Sequence, residues 1–171
     1  MRVRASQIHC ISIGAAALAL AVTILLVHAA NTADVRVVDG DTLQIDGVTY
    51  RLYGIDAPER KQVCARPQGQ WWCGEFATRE LETLASSGPV RCEPLNTDVR
   101  KRVIARCWAG RTNINSALVR SGLAWAYRKY SLDYIAEERT AQREKRGVWS
   151  APNIPPWHLR KLKRRPIRKG I

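Results

Sequence analysis

The 171-residue chain has no Cys-x-x-Cys pair, no internal repeat and little acid: 15 Asp and Glu stand against 28 Lys and Arg, a net charge of +13. Without the Cys-x-x-Cys spacing, its cysteines do not read as a zinc site. Without a repeat, a solenoid or propeller is excluded. The shortage of acid points to a polyanionic partner, either nucleic acid or an anionic membrane surface. Such an excess of charge also serves solubility, so by itself it does not choose between them.

Charge is missing altogether from Ile11 to Ala30, a run of Ala, Leu, Ile and Val preceded by Arg2 and Arg4. Val27-His28-Ala29 fits a small-residue cleavage pattern, so residues 1–30 read as a signal peptide. The run is equally long enough to stay as a membrane anchor, with its positive end cytoplasmic. In both cases the rest is exported and is periplasmic, secreted, or anchored facing away from the cytoplasm. That remainder is about 140 residues, the size of one domain, and with Arg2 and Arg4 set aside its net charge is +11.

Cysteine usage agrees with export. Cys10 belongs to the targeting segment, which leaves Cys64, Cys73, Cys92 and Cys107. Val90–Leu95 and Arg102–Trp108 read as strands joined by the polar loop Asn96–Lys101. A hairpin there sets Cys92 opposite Cys107 and leaves Cys64 to pair with Cys73. Closing the loop between Cys92 and Cys107 is worth ~3 kcal/mol in the chain-entropy model.

The richest stretch is Val37 to Glu59, VVDGDTLQIDGVTYRLYGIDAPE. Alternating apolar residues mark strands over Thr42–Ile45 and Val48–Ile55, and Asp46-Gly47 is a two-residue hairpin signal. Folding about that turn brings Asp41 to the level of Leu52, near Asp56. Carboxylates at Asp39, Asp41, Asp56 and Glu59 thus gather at strand ends, with Arg51 between them. Oxygen clusters of this kind suit hard divalent cations, Ca²⁺ above all.

Further along, a helix is expected over Gly74–Ser86, a short helix over Ile114–Arg120 capped by Asn113, an extended segment over Leu123–Tyr127, and a last helix over Asp133–Arg146 ending at Gly147. Trp71-Trp72 either covers a core edge or stacks on bases. The tail, residues 152–171, carries Pro152, Pro155 and Pro156 and seven Lys or Arg from Arg160 to Lys169. It reads as a flexible arm that either grips phosphates weakly or has no role. Five short strands with late helices point to an α+β, mainly β fold: a five-stranded OB barrel with about three helices, spanning residues 31–151.

Asp39-Gly40-Asp41-Thr42, Arg51-Leu52-Tyr53-Gly54-Ile55-Asp56 and Pro58-Glu59, in this order and spacing, resemble the core of the thermonuclease (staphylococcal-nuclease-like) family. The resemblance runs to about Trp149 and implies a five-stranded OB barrel with three helices. It also implies that Asp41, Asp56 and the backbone carbonyl of Ala57 bind Ca²⁺, with Asp39 behind them. Arg51 would hold the phosphate, Glu59 would be the general base or orient the water, and Tyr127 and Tyr130 would contact nucleotides. The family's second arginine follows a Thr-Asp-x-x-x-Arg spacing, which falls on Arg102. Arg100-Lys101 stand where the family has an aromatic residue and a glycine, and Ala57 replaces a commoner threonine. The implied activity is a calcium-dependent nuclease acting on DNA and RNA, single strands preferred, leaving 3′-phosphates. The competing possibilities are a noncatalytic OB-fold module that binds nucleic acid and a membrane-anchored structural protein with a basic face. Neither has a use for two arginines and three carboxylates at one sheet end, and no protein partner is evident.

Overall fold

The computed structural model describes residues 33–164. The targeting segment and Cys10 fall outside these residues, as do Arg165, Arg168 and Lys169.

The chain enters the described region as a three-stranded antiparallel meander: β1 (Val35–Asp39), β2 (Thr42–Ile45) and β3 (Val48–Leu52). Asp46 and Gly47 both take positive φ, 49° and 80°, as a tight hairpin turn between right-twisted strands requires. Pairing Ile45 with Val48 sets the register and puts Thr42 opposite Arg51. The next step along brings the Leu52 amide to the Asp41 carbonyl at 2.9 Å, as the sequence pattern predicts.

A short strand β4 (Ile55–Asp56) follows, then the small hairpin β5 (Cys64–Arg66) and β6 (Gly69–Trp71). Helix α1 (Cys73–Ser86) buries Ala77 and Leu81 in the main core. Two long strands, β7 (Val90–Thr97) and β8 (Val103–Ala109), form the expected second hairpin. β8 lies parallel to β3, so the sheet order is β1-β2-β3-β8-β7, with the two-residue strand β9 (Thr112–Asn113) added beside β8. Five main strands in this order, one neighbouring pair parallel, give the mainly β, OB-like architecture that the sequence predicts.

Helix α2 (Ile114–Arg120) begins where Asn113 Oδ1 accepts the Ser116 amide, the cap expected of that asparagine. Buried Asn115 accepts the Cys107 amide at 3.0 Å and donates to the Tyr53 carbonyl at 2.9 Å, tying β8 to the end of β3. The extended segment before Tyr127 is β10 (Trp125–Ala126), paired with β4 so that Trp125 faces Asp56. Helix α3 is shorter than expected, Ile135–Arg143. It sends the buried Glu138 carboxylate to the Ala126 amide at 3.0 Å, which fixes β10 and through it the strand carrying Asp56.

Cys92 pairs with Cys107 across the β7–β8 register, and Cys64 is bonded to Cys73. The first bond closes a separation of 15 residues. Replacing Cys92 and Cys107 together with serine is expected to lower unfolding stability by about 3 kcal/mol in the chain-entropy model. Denaturant titration of the double variant reads this. A nonreduced digest linking Cys64 to Cys92 or Cys107 would refute both the pairing and the hairpin register.

One expectation holds only in part, and one needs correction. Trp71 and Trp72 do not act as a pair: Trp71 is 8% exposed in a small core with Trp125 and Val148, while Trp72 is 53% exposed. The tail is not a loose arm as far as Lys163. Pro156 occupies the first turn of helix α4 (Pro156–Lys163), where its missing amide costs no hydrogen bond. Trp157 stacks on Tyr127 at a centroid distance of 5.0 Å, with its edge toward Trp125 at 6.3 Å. The Asn153 side chain accepts the Ala65 amide and donates to the Ala65 carbonyl, and Gln62 donates to the Ile154 carbonyl at 2.9 Å. A basic, proline-bearing sequence resembles a solvated tail, but the Trp157 stack together with the Asn153 and Gln62 bonds docks it on the domain.

Candidate active site

The site forms where the β1–β2 turn meets β3 and β4. Gly40 makes this possible, since a side chain there would meet the Ala77 and Ala57 methyls at 2.7 and 2.9 Å. Asp39 ends β1 and its Oδ1 accepts the Asp41 amide at 3.2 Å, so it shapes the turn. Asp41 follows, buried, and its Oδ2 accepts the Ala57 amide at 2.7 Å. Ala57 is thereby fixed beside the carboxylate, and its methyl packs in the core.

Arg51, one position short of the β3 end, bridges the two central aspartates. Its guanidinium contacts Asp41 Oδ1 through one terminal nitrogen and Asp56 Oδ1 at 2.6 Å through the other. Asp56 is fully buried on β4. Burial pushes the Asp41 carboxyl up to about 8; Arg51 opposes this, and Asp39 and Asp56 add to it. Burial also works against the charge of Arg51, but Asp41 and Asp56 hold its pKa above the ordinary value. So much crowded carboxylate is the environment that bound cationic charge relieves.

Glu59 lies three residues beyond Asp56, and α1 holds its backbone. A Cβ at Gly74 would come within 1.9 Å of the Glu59 carbonyl, so only glycine allows the helix this close. Gln62 closes the turn by accepting the Glu59 amide at 3.1 Å, and its own amide reaches the Glu59 carbonyl at 2.6 Å.

Asp41, Arg51, Asp56, Ala57 and Glu59 are therefore brought together, with Asp39 behind them. Arg102 is not in contact with this group. Its Nε and a terminal nitrogen bond Asp98 Oδ2 at 2.9 and 2.7 Å, at the tip of the β7–β8 hairpin. Asp98 Oδ1 accepts the backbone amides of Arg100 and Arg102, both at 2.9 Å. Slight burial disfavours the Asp98 carboxylate, but these bonds outweigh it and hold the pKa below the ordinary value. The brace is thus present above the ordinary carboxylate range and is lost as pH falls through the depressed value. Lys101 takes φ 61°, the left-handed conformation that favours glycine. The position where the family has glycine thus keeps a glycine-like backbone in this chain.

Tyr127 lies beside the site, its amide on the Gly54 carbonyl at 2.8 Å, and Tyr130 meets it edge to face at 5.1 Å. Tyr127 spends one face on Trp157, while Tyr130 is 61% exposed. Arg160 on α4 also enters the site, and sequence reasoning missed it. One terminal nitrogen bonds Asp56 Oδ2 at 2.6 Å, and the other bonds Glu59 Oε1 at 2.6 Å and Asp56 Oδ1 at 3.3 Å. The available signals were Pro156 as a helix start and Trp157 one turn before Arg160.

Every group here that could ligate a metal does so through oxygen, which fits a hard cation such as Ca²⁺. Among the described residues no three His, Cys, Asp or Glu side chains converge as a ready metal cage. A cation would take two carboxylates and a backbone carbonyl here, leaving coordination positions for water and phosphate.

The family model described as Staphylococcal nuclease homologue matches residues 49–151. An uncharacterised endonuclease of Escherichia coli is 34% identical over 137 residues, covering 75% of this chain and 84% of that protein. A micrococcal nuclease of Shigella flexneri is 32% identical over 145 residues, 74% of this chain and 78% of that protein. A thermonuclease of Staphylococcus hyicus is 31% identical over 129 residues, 68% and 73% respectively. The matched span contains Arg51, Asp56, Glu59 and Arg102, and this chain belongs to the staphylococcal nuclease homologue family.

Proposed function

We propose that the chain is an exported, calcium-dependent nuclease that hydrolyses phosphodiester bonds in DNA and RNA. It has little sugar or sequence preference, favours single strands and leaves 3′-phosphates. The observation that carries this is the pair of buried aspartates, Asp41 in the β1–β2 turn and Asp56 on β4, bridged by Arg51, with Glu59 fixed beside them. The names of the relatives, endonuclease, micrococcal nuclease and thermonuclease, support it. The two disulfides support export. Residues 1–30 carry the targeting, membrane contact occurs only if they are retained, and residues 31–151 hold the nuclease domain.

Asp41, Asp56 and the Ala57 carbonyl would hold Ca²⁺, which supplies polarisation of a phosphoryl oxygen and orientation of the attacking water. Arg51, drawn off the aspartates, binds two phosphate oxygens with its planar fork. Glu59 accepts the proton of the water as its oxygen bonds to phosphorus. The P–O5′ bond breaks, the phosphate stays on the 3′ side, and the 5′ oxygen leaves as a hydroxyl protonated from solvent. Arg102, presented by Asp98, meets charge that develops on the equatorial oxygens. Tyr127 and Tyr130 contact the nucleotide.

Purified protein incubated with a single-stranded oligonucleotide is expected to cleave it in Ca²⁺ and to stop in excess chelator. Binding that ignores the chelator, with no cleavage in Ca²⁺, would leave only the noncatalytic binding module.

A further inference from the structure

Asp56 is fully buried, and its oxygens are already taken: Arg51 holds Oδ1 at 2.6 Å and Arg160 holds Oδ2 at 2.6 Å. Arg160 also holds Glu59 Oε1 at 2.6 Å. A cation approaching Asp56 from solvent must therefore displace a guanidinium. The Arg51 side chain is 18% exposed and rooted in β3; that of Arg160 is 36% exposed and comes from the last helix. With no phosphate present to draw Arg51 off, Arg160 is the one with room to withdraw.

The contact is built into the fold. Trp157 and Arg160 are one turn apart on α4 and so share a face. The stack of Trp157 on Tyr127 therefore aims Arg160 at the carboxylates. The Asn153 and Gln62 bonds fix the approach to the helix.

We propose that Arg160 is an intrachain counter-cation that competes with the divalent metal for Asp56 and Glu59, so that the C-terminal helix sets the metal affinity of the site. This rests on the calcium-dependent reading above. Without metal, the guanidinium neutralises two carboxylates that would otherwise repel each other. When the metal arrives, it exchanges for Arg160 and frees Glu59. The site stays closed until the metal concentration is high enough to drive the exchange, a threshold suited to an exported enzyme.

Calcium titration calorimetry on the full-length chain tests this, with no substrate present. Charge-assisted hydrogen bonds of this kind are strong enough that Arg160→Ala is expected to bind Ca²⁺ about tenfold more tightly than wild type. Arg160→Lys keeps the charge but loses the fork and should fall in between. Lys161→Ala removes the same charge one residue away and is expected to shift affinity by less than about twofold, as an exposed charge does. Equal tightening in Lys161→Ala and Arg160→Ala would reduce the effect to general electrostatics and overturn the competition. Unchanged affinity in Arg160→Ala and Arg160→Lys, with wild type binding normally, would overturn it too. Absence of Ca²⁺ binding in every variant, wild type included, would instead overturn the calcium reading. Thermal melts confirm that each variant is folded, and Arg160→Lys decides the matter should Arg160→Ala fail to fold.

Discussion

Glu59→Gln is expected to lower kcat by about 10²–10⁴-fold, the usual contribution of a positioned general base. Glutamine has the same length, and the backbone that places it is fixed by other groups. Gly74 admits helix α1 against the Glu59 carbonyl, and Gln62 binds the amide and carbonyl of residue 59. The fold and its thermal midpoint should therefore hold. KM should change little, because a base that takes the water's proton does not hold the substrate. Glutamine keeps one acceptor oxygen for Arg160, so that contact weakens without disappearing. Steady-state kinetics on one short oligonucleotide at saturating Ca²⁺ read the effect. A loss of less than about tenfold would remove Glu59 from the role of base.

The second large effect is expected at the β7–β8 tip, where three cations stand together. Arg102→Ala should cost ~10²–10³-fold in kcat, the typical loss for one donor aimed at transition-state charge. Arg100→Ala and Lys101→Ala should raise KM and flatten the salt dependence while leaving kcat nearly alone. The local geometry favours this division. Asp98 binds the Arg102 guanidinium through Oδ2 and the amides of Arg100 and Arg102 through Oδ1, so it presents that side chain in a defined place. Arg100 and Lys101 are exposed. Lys101 in the left-handed region, directly before Arg102, matches a family glycine and supports the register. The three variants are compared on one oligonucleotide at two salt concentrations. Should Arg100→Ala be the variant that loses kcat, the clamp is Arg100 and the register is off by two.

The sequence alone determined what depends on near neighbours. Asp46-Gly47 dictated the hairpin because few dipeptides accept two positive φ values in a row, and that register delivered Asp41 to Leu52. Asn113 capped its helix through its own side chain. Cys92 met Cys107 because a hairpin pairs residues equidistant from its turn. The carboxylates and Arg51 were legible for the same reason: two adjacent hairpin elements carry them, within a span of 23 residues. Tertiary structure decided the rest. Arg160 is 101 residues from Glu59 in the chain, and no local pattern specifies a contact at that separation. Glu138 steadies the Asp56 strand from a helix, and Gly74 is needed only because α1 lies against the Glu59 carbonyl. Proline and basic residues from Pro152 onward resemble a solvated arm until Trp157 finds Tyr127. Whether such a segment folds is settled by the surface it meets, since its own apolar content is too small to hold it.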